Sequence, residues 1–292
     1  MPLKYVYAPE ASSRWPFAQE TPATSSSNDD LAHLHMVLVY GRRPWLVPTE
    51  PEILSQFMQK KGRTVALRHG ESLPLGNDST LYWIEDGLLA SVPLHQGESS
   101  RLCGLFGPGS VLGLVMALRT PAGNVRPMAL NARALTTTRT LAVSLRDFYD
   151  WLHQQSGPTK EAVYRSAIAK TEAQLEGVFV NDIYPIPVRL LWALTVLTTP
   201  ELVPAQGRES LPAFITETTP AAHSAGAKVT WTGLPRGVTL SDIAALTHTN
   251  REMISRTFAE VQKEGWVVRQ GRRLWVNRDA ILLQLSHAIH QP

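Results

Sequence analysis

The sequence contains a single cysteine, Cys103, among its 292 residues. No disulfide can form within the chain, and neither a four-cysteine iron–sulfur cluster nor a cysteine-based structural zinc site is possible. One cysteine is typical of a protein in a reducing compartment, so we expect a cytoplasmic location. We predict no metal site and no cofactor.

Long apolar segments are also lacking. No apolar run approaches the roughly 18 residues that mark a membrane helix, and the N-terminus has no basic stretch leading into an apolar core. We therefore expect no membrane partner. Ser/His/Asp arrangements, paired carboxylates and phosphate-binding loops are missing too, which favours a binding protein over an enzyme.

A large charge excess is lacking as well, because the formal net charge is only +3. The positive charge is instead local. Residues 236–278 hold eight arginines and lysines against four acidic residues, a balance more positive than that of the whole chain. A basic segment within a nearly neutral chain is typical of a nucleic-acid interface.

The distribution of residue types predicts an α+β protein in four parts. Residues 1–30 are rich in Ser, Thr and Pro and are predicted to form a flexible extension. Residues 31–150 contain short β-prone runs separated by Gly and Pro, which is typical of an antiparallel sandwich or roll. A helix is predicted for 159–183, and residues 184–292 form a C-terminal region. Within that region, 198–237 is a Pro-, Thr- and Gly-rich insertion that we interpret as an extended hairpin.

The predicted helix at 159–183 carries regularly spaced side chains that could meet a second helix. At 1.5 Å per residue it would be about 37 Å long. A dimer seam fits its position between two predicted domains, while the alternative is a helix that lies on its own sheet. The seam residues alternate in spacings of four and three: Tyr164, Ile168, Thr171, Leu175 and Val178.

Two short helices joined by a tight turn are predicted for residues 239–263. Thr239 and Asp242 form a capping-box pattern for the first helix, and Thr249 and Glu252 form a second one for the next helix. So short a connection makes the helices cross steeply, as in a helix-turn-helix.

The second helix divides into two arcs at about 100° per residue. One arc is the expected core side, with Ile254, Thr257, Phe258 and Val261. The other arc would face the major groove and read bases, unless its charges are merely solvated. It contains Arg251, Glu252, Ser255 and Arg256.

The segment "GWVVRQGRRLWVNRD" after this helix predicts a β-hairpin wing. Its arginines, together with polar residues at the helix starts, are the expected contacts to DNA phosphates. These residues are Thr239, Thr249, Asn250, Arg269, Arg272 and Arg273.

The chain resembles the cAMP receptor protein and fumarate–nitrate reductase regulator (CRP/FNR) family over about residues 60–285. The similar motifs are "LYWIEDGLL", "LFGPGSVLG", "LAVSLRDF", "IPVRLLWAL" and "SDIAALTHTNREMISRTFAEVQKEGWV". The resemblance implies a cyclic-nucleotide-binding-like β-roll, a long central dimerisation helix and a C-terminal winged helix-turn-helix. It also implies a homodimer on palindromic double-stranded DNA, with RNA polymerase as a candidate partner. His248 stands where the family has a turn glycine.

The residues that the family uses for a cyclic nucleotide are not matched. Leu114 replaces the expected glutamate, and the arginine at a suitable distance, Arg126, precedes a proline instead of a serine or threonine. Gln174 and Leu175 stand where the resemblance places hydroxyl-bearing ligands. We therefore expect no cAMP effector, and Arg126 is only a weak candidate for an effector site. The effector is unknown, and haem binding through His69, His95 or Cys103 stays open.

These observations predict a sequence-specific DNA-binding transcription regulator. Two alternatives from other classes are a winged-helix scaffold that binds a partner protein and a small-molecule sensor without a transcriptional output. The charged arc at 251–256 and the basic wing favour DNA.

Overall fold

The computed structural model describes residues 43–75, 80–93, 101–119, 130–202, 231–271 and 273–290. Several sequence predictions lie outside these residues. They are the flexible extension 1–30, residues 203–230 of the insertion, His95, Arg126 and Arg272.

Eight antiparallel strands form two four-stranded sheets, named here the two-sheet unit. The strand orders are β1-β8-β3-β6 and β2-β7-β4-β5. The strands are β1 Arg63–Leu67, β2 Ser72–Leu75, β3 Thr80–Asp86, β4 Leu89–Pro93, β5 Gly104–Phe106, β6 Val111–Leu112, β7 Leu130–Ala134 and β8 Thr138–Ser144. An antiparallel two-sheet arrangement is what the short, Gly- and Pro-punctuated runs predict.

Apolar side chains from both sheets meet in a shared core, because alternate residues of a strand face the same side. Tyr82, Ile84, Leu89 and Phe106 belong to this cluster and are almost fully buried. A second cluster lies under the helices α1 Glu52–Lys61, α2 Leu114–Arg119 and α3 Leu145–His153.

The long helix α4, Gly157–Ile183, covers the predicted segment 159–183. It begins at the N-cap Ser156, whose hydroxyl accepts a hydrogen bond from the Thr159 N–H, and it ends before Pro185. One side of α4 is buried and the other is exposed. The buried side consists of Val163, Ser166, Ala167, Lys170, Ala173, Gly177, Val180 and Asn181.

The C-terminal unit is built around the apolar helix α5, Ile186–Leu197, which is buried from Leu190 onward. The helix pair α6 Leu240–Leu246 and α7 Arg251–Lys263 packs on it, together with α8 Arg278–His290. Three antiparallel strands complete the unit in the order β10-β11-β9: β9 Trp231–Gly233, β10 Val267–Gln270 and β11 Arg273–Asn277.

Direct contacts join the two-sheet unit to the helix pair. Arg133 of β7 forms an ion pair with Asp242 of α6 at 2.8 Å. The Leu102 N–H donates to the Ala245 carbonyl at 3.1 Å, and the Leu102 carbonyl accepts from the His248 ring at 3.2 Å. One apolar core also continues from Leu102 and Leu105 through α5 into the helix pair. No helix in the described part of the chain is both long and apolar enough to cross a membrane.

Candidate nucleic-acid interface

The first helix of the pair, α6, has the predicted capping box. The Thr239 hydroxyl accepts from the Asp242 N–H at 3.2 Å, and the Asp242 carboxylate accepts from the Thr239 N–H at 2.9 Å. The helix ends at Leu246, and the Thr249 N–H returns to the Ala244 carbonyl at 2.9 Å. This bond closes the turn that sets the crossing of the two helices.

His248 lies in this turn with a φ of +50°, the left-handed conformation expected of a turn glycine. Histidine tolerates it better than bulky residues do. Its ring reaches back to the Leu102 carbonyl, so the substitution provides a contact that glycine could not make. Burial lowers the pKa of His248, and the neighbouring Arg101 and Arg189 act in the same direction.

The predicted capping box of α7 is wrong. The N-cap is Asn250, whose side-chain oxygen accepts from the Met253 N–H at 2.8 Å. The Thr249 N–H closes the turn by donating to the Ala244 carbonyl, and α7 begins only at Arg251. The residue directly before the helix is therefore Asn250. Glu252 therefore has no capping role and points to solvent instead.

The two arcs of α7 match the predicted division. Ile254, Thr257, Phe258 and Val261 are buried, and Ile254 and Val261 have no exposed surface. The other arc is exposed and lies at the start of the helix. Its members are Arg251, Glu252, Ser255 and Arg256.

Within the exposed arc, Arg256 and Glu252 form an ion pair one helical turn apart at 2.5 Å. Both side chains are largely exposed, at 69% and 72%, so the pair contributes little to folding, typically about 0.2–1 kcal/mol. It does hold an arginine and a carboxylate side by side. In this arrangement the Arg256 guanidinium can donate two hydrogen bonds to a base edge, and the Glu252 carboxylate can accept one. The Ser255 hydroxyl donates to the Arg251 carbonyl at 2.8 Å.

The other predicted phosphate-contacting residues lie at different depths. Asn250 and Thr239 are exposed, whereas Thr249 is half-buried. Arg269 on β10 is exposed, and its Nε donates to the Gly271 carbonyl at 3.3 Å. The Arg273 guanidinium lies over the Trp275 ring, 4.4 Å from its centroid, which is a cation–π contact.

Part of the predicted insertion belongs to the C-terminal sheet. Trp231–Gly233 pairs with β11, opposite Asn277 to Trp275. The segment "KVTWTGL" is predicted to pair with "PAFITET" in a hairpin, but that partner lies outside the described residues. Alternation predicts a strand and gives no information on its partner, which explains why the sequence indicates only two strands for this sheet.

The residues that stand at the family's effector positions lie in different surroundings. Leu114 is 1% exposed and belongs to the core under α1 and α3. Gln174 faces the sheet beside Gly104, whereas Leu175 is on the exposed side of α4. Burial raises the pKa of the Cys103 thiol. Within the described ranges, no three His, Cys, Asp or Glu side chains are grouped as a metal site would require.

Comparison with known proteins gives matches among solved structures only, since no family model and no curated protein sequence matches the chain. FixK2 from Bradyrhizobium japonicum has a TM-score of 0.55 and 14% identity, over 77% of this chain and 96% of its own. A CRP/FNR-family transcriptional regulator from Thermus thermophilus has a TM-score of 0.53 and 15% identity, over 77% of this chain and 98% of its own.

A third similar structure is the c-di-GMP responsive global regulator CLP from Xanthomonas campestris, with a TM-score of 0.52 and 15% identity, over 76% of this chain and 97% of its own. Nearly the whole length of each relative is therefore covered. At these identities the likeness concerns the fold. The chain has the fold of the CRP/FNR transcription regulators.

Proposed function

We propose that the protein is a sequence-specific DNA-binding transcription regulator of the CRP/FNR type. The observation that carries the proposal is the exposed arc of Arg251, Glu252, Ser255 and Arg256 at the start of α7, held outward by the buried opposite side. The first turn of a recognition helix is where side chains meet base edges in the major groove. The β10–β11 hairpin acts as the wing, with Arg269 and the adjacent arginines at the phosphates.

The protein acts as a homodimer joined through α4. The described residues include seven large apolar side chains that are exposed, and six of them lie on this helix. A second copy of α4 is a partner that covers such a stripe symmetrically. Two-fold symmetry then gives a palindromic site with half-sites about 10 base pairs apart. The stripe comprises Tyr164, Ile168, Leu175, Val178, Phe179 and Ile183.

Cyclic AMP is not the effector in this proposal. A glutamate that could bind a ribose hydroxyl is replaced by Leu114, which is packed into the apolar core. The single cysteine supports a cytoplasmic location, and RNA polymerase is the partner that a regulator bound at a promoter would contact.

The test is in-vitro selection of bound DNA followed by single-residue variants. Arg251→Ala should lose about 1–3 kcal/mol at one base pair of the selected half-site, because a bidentate contact to a base is removed. Discrimination at the other positions should remain. Affinities are measured by fluorescence anisotropy for the selected site and for each single-base substitution.

Arg146→Ala is the matched control, since it removes the same charge from an exposed position on α3. It should leave base preference unchanged. If the Arg251→Ala protein discriminates among bases as the wild-type protein does, the assignment of base reading to the exposed arc of α7 is wrong. A protein-binding scaffold, the competing function, would instead select no DNA sequence and show little dependence on salt.

A further inference from the structure

The segment from Trp45 to Glu50, named here the tether, runs between the two-sheet unit and α4. The Trp45 N–H donates to the Ala173 carbonyl in the middle of α4 at 2.8 Å. The Trp45 carbonyl accepts from the Leu105 N–H of β5 at 2.7 Å, and the Val47 N–H donates to the Leu105 carbonyl at 2.9 Å. The tether thus bonds to the helix on one side and to the sheet on the other.

The indole of Trp45 lies directly against α4. The residue is 1% exposed, and a Cβ atom at Gly177 would overlap the ring Cδ1 atom. Only glycine fits at this helix position. Trp45 also has a φ of +65°, a left-handed conformation that is unfavourable for any residue with a Cβ atom. Strain of this kind persists only where the surrounding contacts impose it.

The other end of the tether holds α4 through a buried ion pair. Glu50 pairs with Lys170, and its two carboxylate oxygens also accept from the Ser166 hydroxyl at 2.6 Å and from the Val111 N–H at 2.9 Å. The Lys170 ammonium donates in turn to the Val111 carbonyl at 2.9 Å. The residues Glu50, Ser166 and Lys170 are all buried. Both members of the pair therefore have further hydrogen-bond partners.

A left-handed tryptophan and a buried ion pair are both unfavourable ways to fill a core. What they provide is a defined geometry. Ser166, Lys170, Ala173 and Gly177 are spaced by four, three and four residues, so they lie on one side of α4. All four contact the tether, which fixes the rotation of the helix about its own axis. The exposed apolar stripe is on the opposite side.

We propose that the tether is a built-in effector. It occupies the space between sheet and helix and holds α4 in the rotation that presents the apolar stripe to a second copy. The protein consequently dimerises and binds DNA without a diffusible ligand. The dimer and DNA parts of this inference rest on the proposed function, whereas the hold of the tether on α4 does not.

The first experiment removes any bound small molecule from the full-length protein by unfolding in guanidinium, dialysis and refolding. The refolded protein should bind its selected DNA with the same affinity as the native preparation. If affinity returns only when a small-molecule extract of cells is added, a diffusible effector is required and the proposal is overturned.

The second experiment compares Gly177→Ala with Leu152→Ala. Alanine favours helix more than glycine does, so Gly177→Ala affects α4 adversely only through the clash with Trp45. We expect roughly a tenfold or greater loss of dimer and DNA affinity, which is the size of a typical coupling between sites, and faster amide hydrogen exchange around Ala173. Leu152→Ala opens the core under α3, outside the tether, and should lower stability while leaving the affinities of the folded protein unchanged.

Wild-type affinities and exchange rates in a folded Gly177→Ala protein would overturn the proposal while leaving the proposed function intact. If the wild-type protein selects no DNA, the proposed function fails, and hydrogen exchange with sedimentation still decides the role of the tether. If Gly177→Ala does not fold, the double variant Trp45→Ala/Gly177→Ala, which removes the clash, supplies the same comparison. It should fold and lack the indole's contact with α4, while the Glu50 end of the tether stays in place.

Discussion

The helices α4 and α7 place opposite kinds of residue on their exposed sides. In α7 the buried side is apolar except for Thr257 and the exposed side is mostly charged, as in an ordinary surface helix. In α4 the buried side includes Ser166, Lys170 and Asn181, while the exposed side carries Ile168 and Phe179 at 58% exposure each.

The contrast shows that the chemistry of an exposed arc indicates its partner. A charged arc suits a hydrated, charged partner such as DNA. A contiguous exposed apolar arc is typical of a surface that another apolar surface covers. The polar groups on the buried side of α4 are stable for a different reason, because each of those named makes a hydrogen bond. Ser166 donates to the Glu50 carboxylate and Lys170 to the Val111 carbonyl of β6, whereas Asn181 donates to the Leu246 carbonyl of α6.

The largest effect should come from Lys170→Ala, which removes a charged side chain from the buried side of α4. It leaves the Glu50 carboxylate buried without its cation, so we expect a loss of about 3–5 kcal/mol in the free energy of unfolding. Urea denaturation followed by circular dichroism measures it. Replacing both partners, as in Glu50→Leu/Lys170→Met, should lose far less.

Lys60→Ala is the control, an exposed lysine at the end of α1 whose loss should change stability by less than about 0.5 kcal/mol. A Lys170→Ala protein as stable as this control would mean that the buried pair does not support α4.

Phe179→Glu tests the exposed side of the same helix. Burying a phenylalanine contributes about 1.5–3 kcal/mol, and a symmetric dimer would bury two, so we expect the dimer dissociation constant to increase about 100-fold or more. Monomer stability should be nearly unchanged. Sedimentation equilibrium measures the dissociation constant. Ile53→Glu is the matched control because Ile53 is also exposed and apolar but lies on α1. An equal response of both variants would contradict an α4 interface.

Asn250→Ala tests how the exposed arc of α7 is started. Loss of an N-cap side chain costs about 1 kcal/mol, and we expect that decrease in the free energy of unfolding. Thr249→Ala should cost less than about 0.5 kcal/mol because its backbone, not its hydroxyl, closes the turn. A larger loss of stability for Thr249→Ala than for Asn250→Ala in urea denaturation would identify Thr249 as the N-cap.

The smallest expected effect is the change in stability that His248, in the turn before α7, causes as the pH falls. Because the pKa of His248 is lowered in the folded protein, the unfolded chain binds a proton more readily. The His248 contribution to stability is therefore present above a pH of about 6.5 and is lost as the pH falls below that value. We expect His248→Asn, which tolerates a positive φ, to flatten this pH dependence, and His153→Asn on the surface to preserve it. Thermal unfolding across this pH range compares the two variants with the wild-type protein.

Local periodicity explains what could be predicted. The arcs of α7 and the extent of α4 follow from residue spacing alone. Four of the five predicted seam residues are exposed apolar side chains: Tyr164, Ile168, Leu175 and Val178. The predicted seam ends at Val178 and omits Phe179 and Ile183, although both are among the most exposed apolar residues. A heptad rule selects one narrow line, whereas the exposed side of α4 is wider.

Long-range contacts explain what could not be predicted. Glu50 and Lys170 are ordinary charged residues in sequence, and nothing local indicates that the fold brings them together in the core. Trp45 is apolar enough to be expected in a core, but its left-handed backbone depends on α4 and β5. The sequence pattern misassigns the cap of α7 because two residues in a row, Thr249 and Asn250, are both good N-cap types.

The close approach of Trp45 and Gly177 also constrains how this protein can evolve. Any side chain at position 177 meets the indole, so the glycine can change only after the tryptophan has been replaced by something smaller. The order of substitutions matters for this pair. Homologous chains should therefore vary at these two distant positions together, with glycine kept wherever the ring is kept.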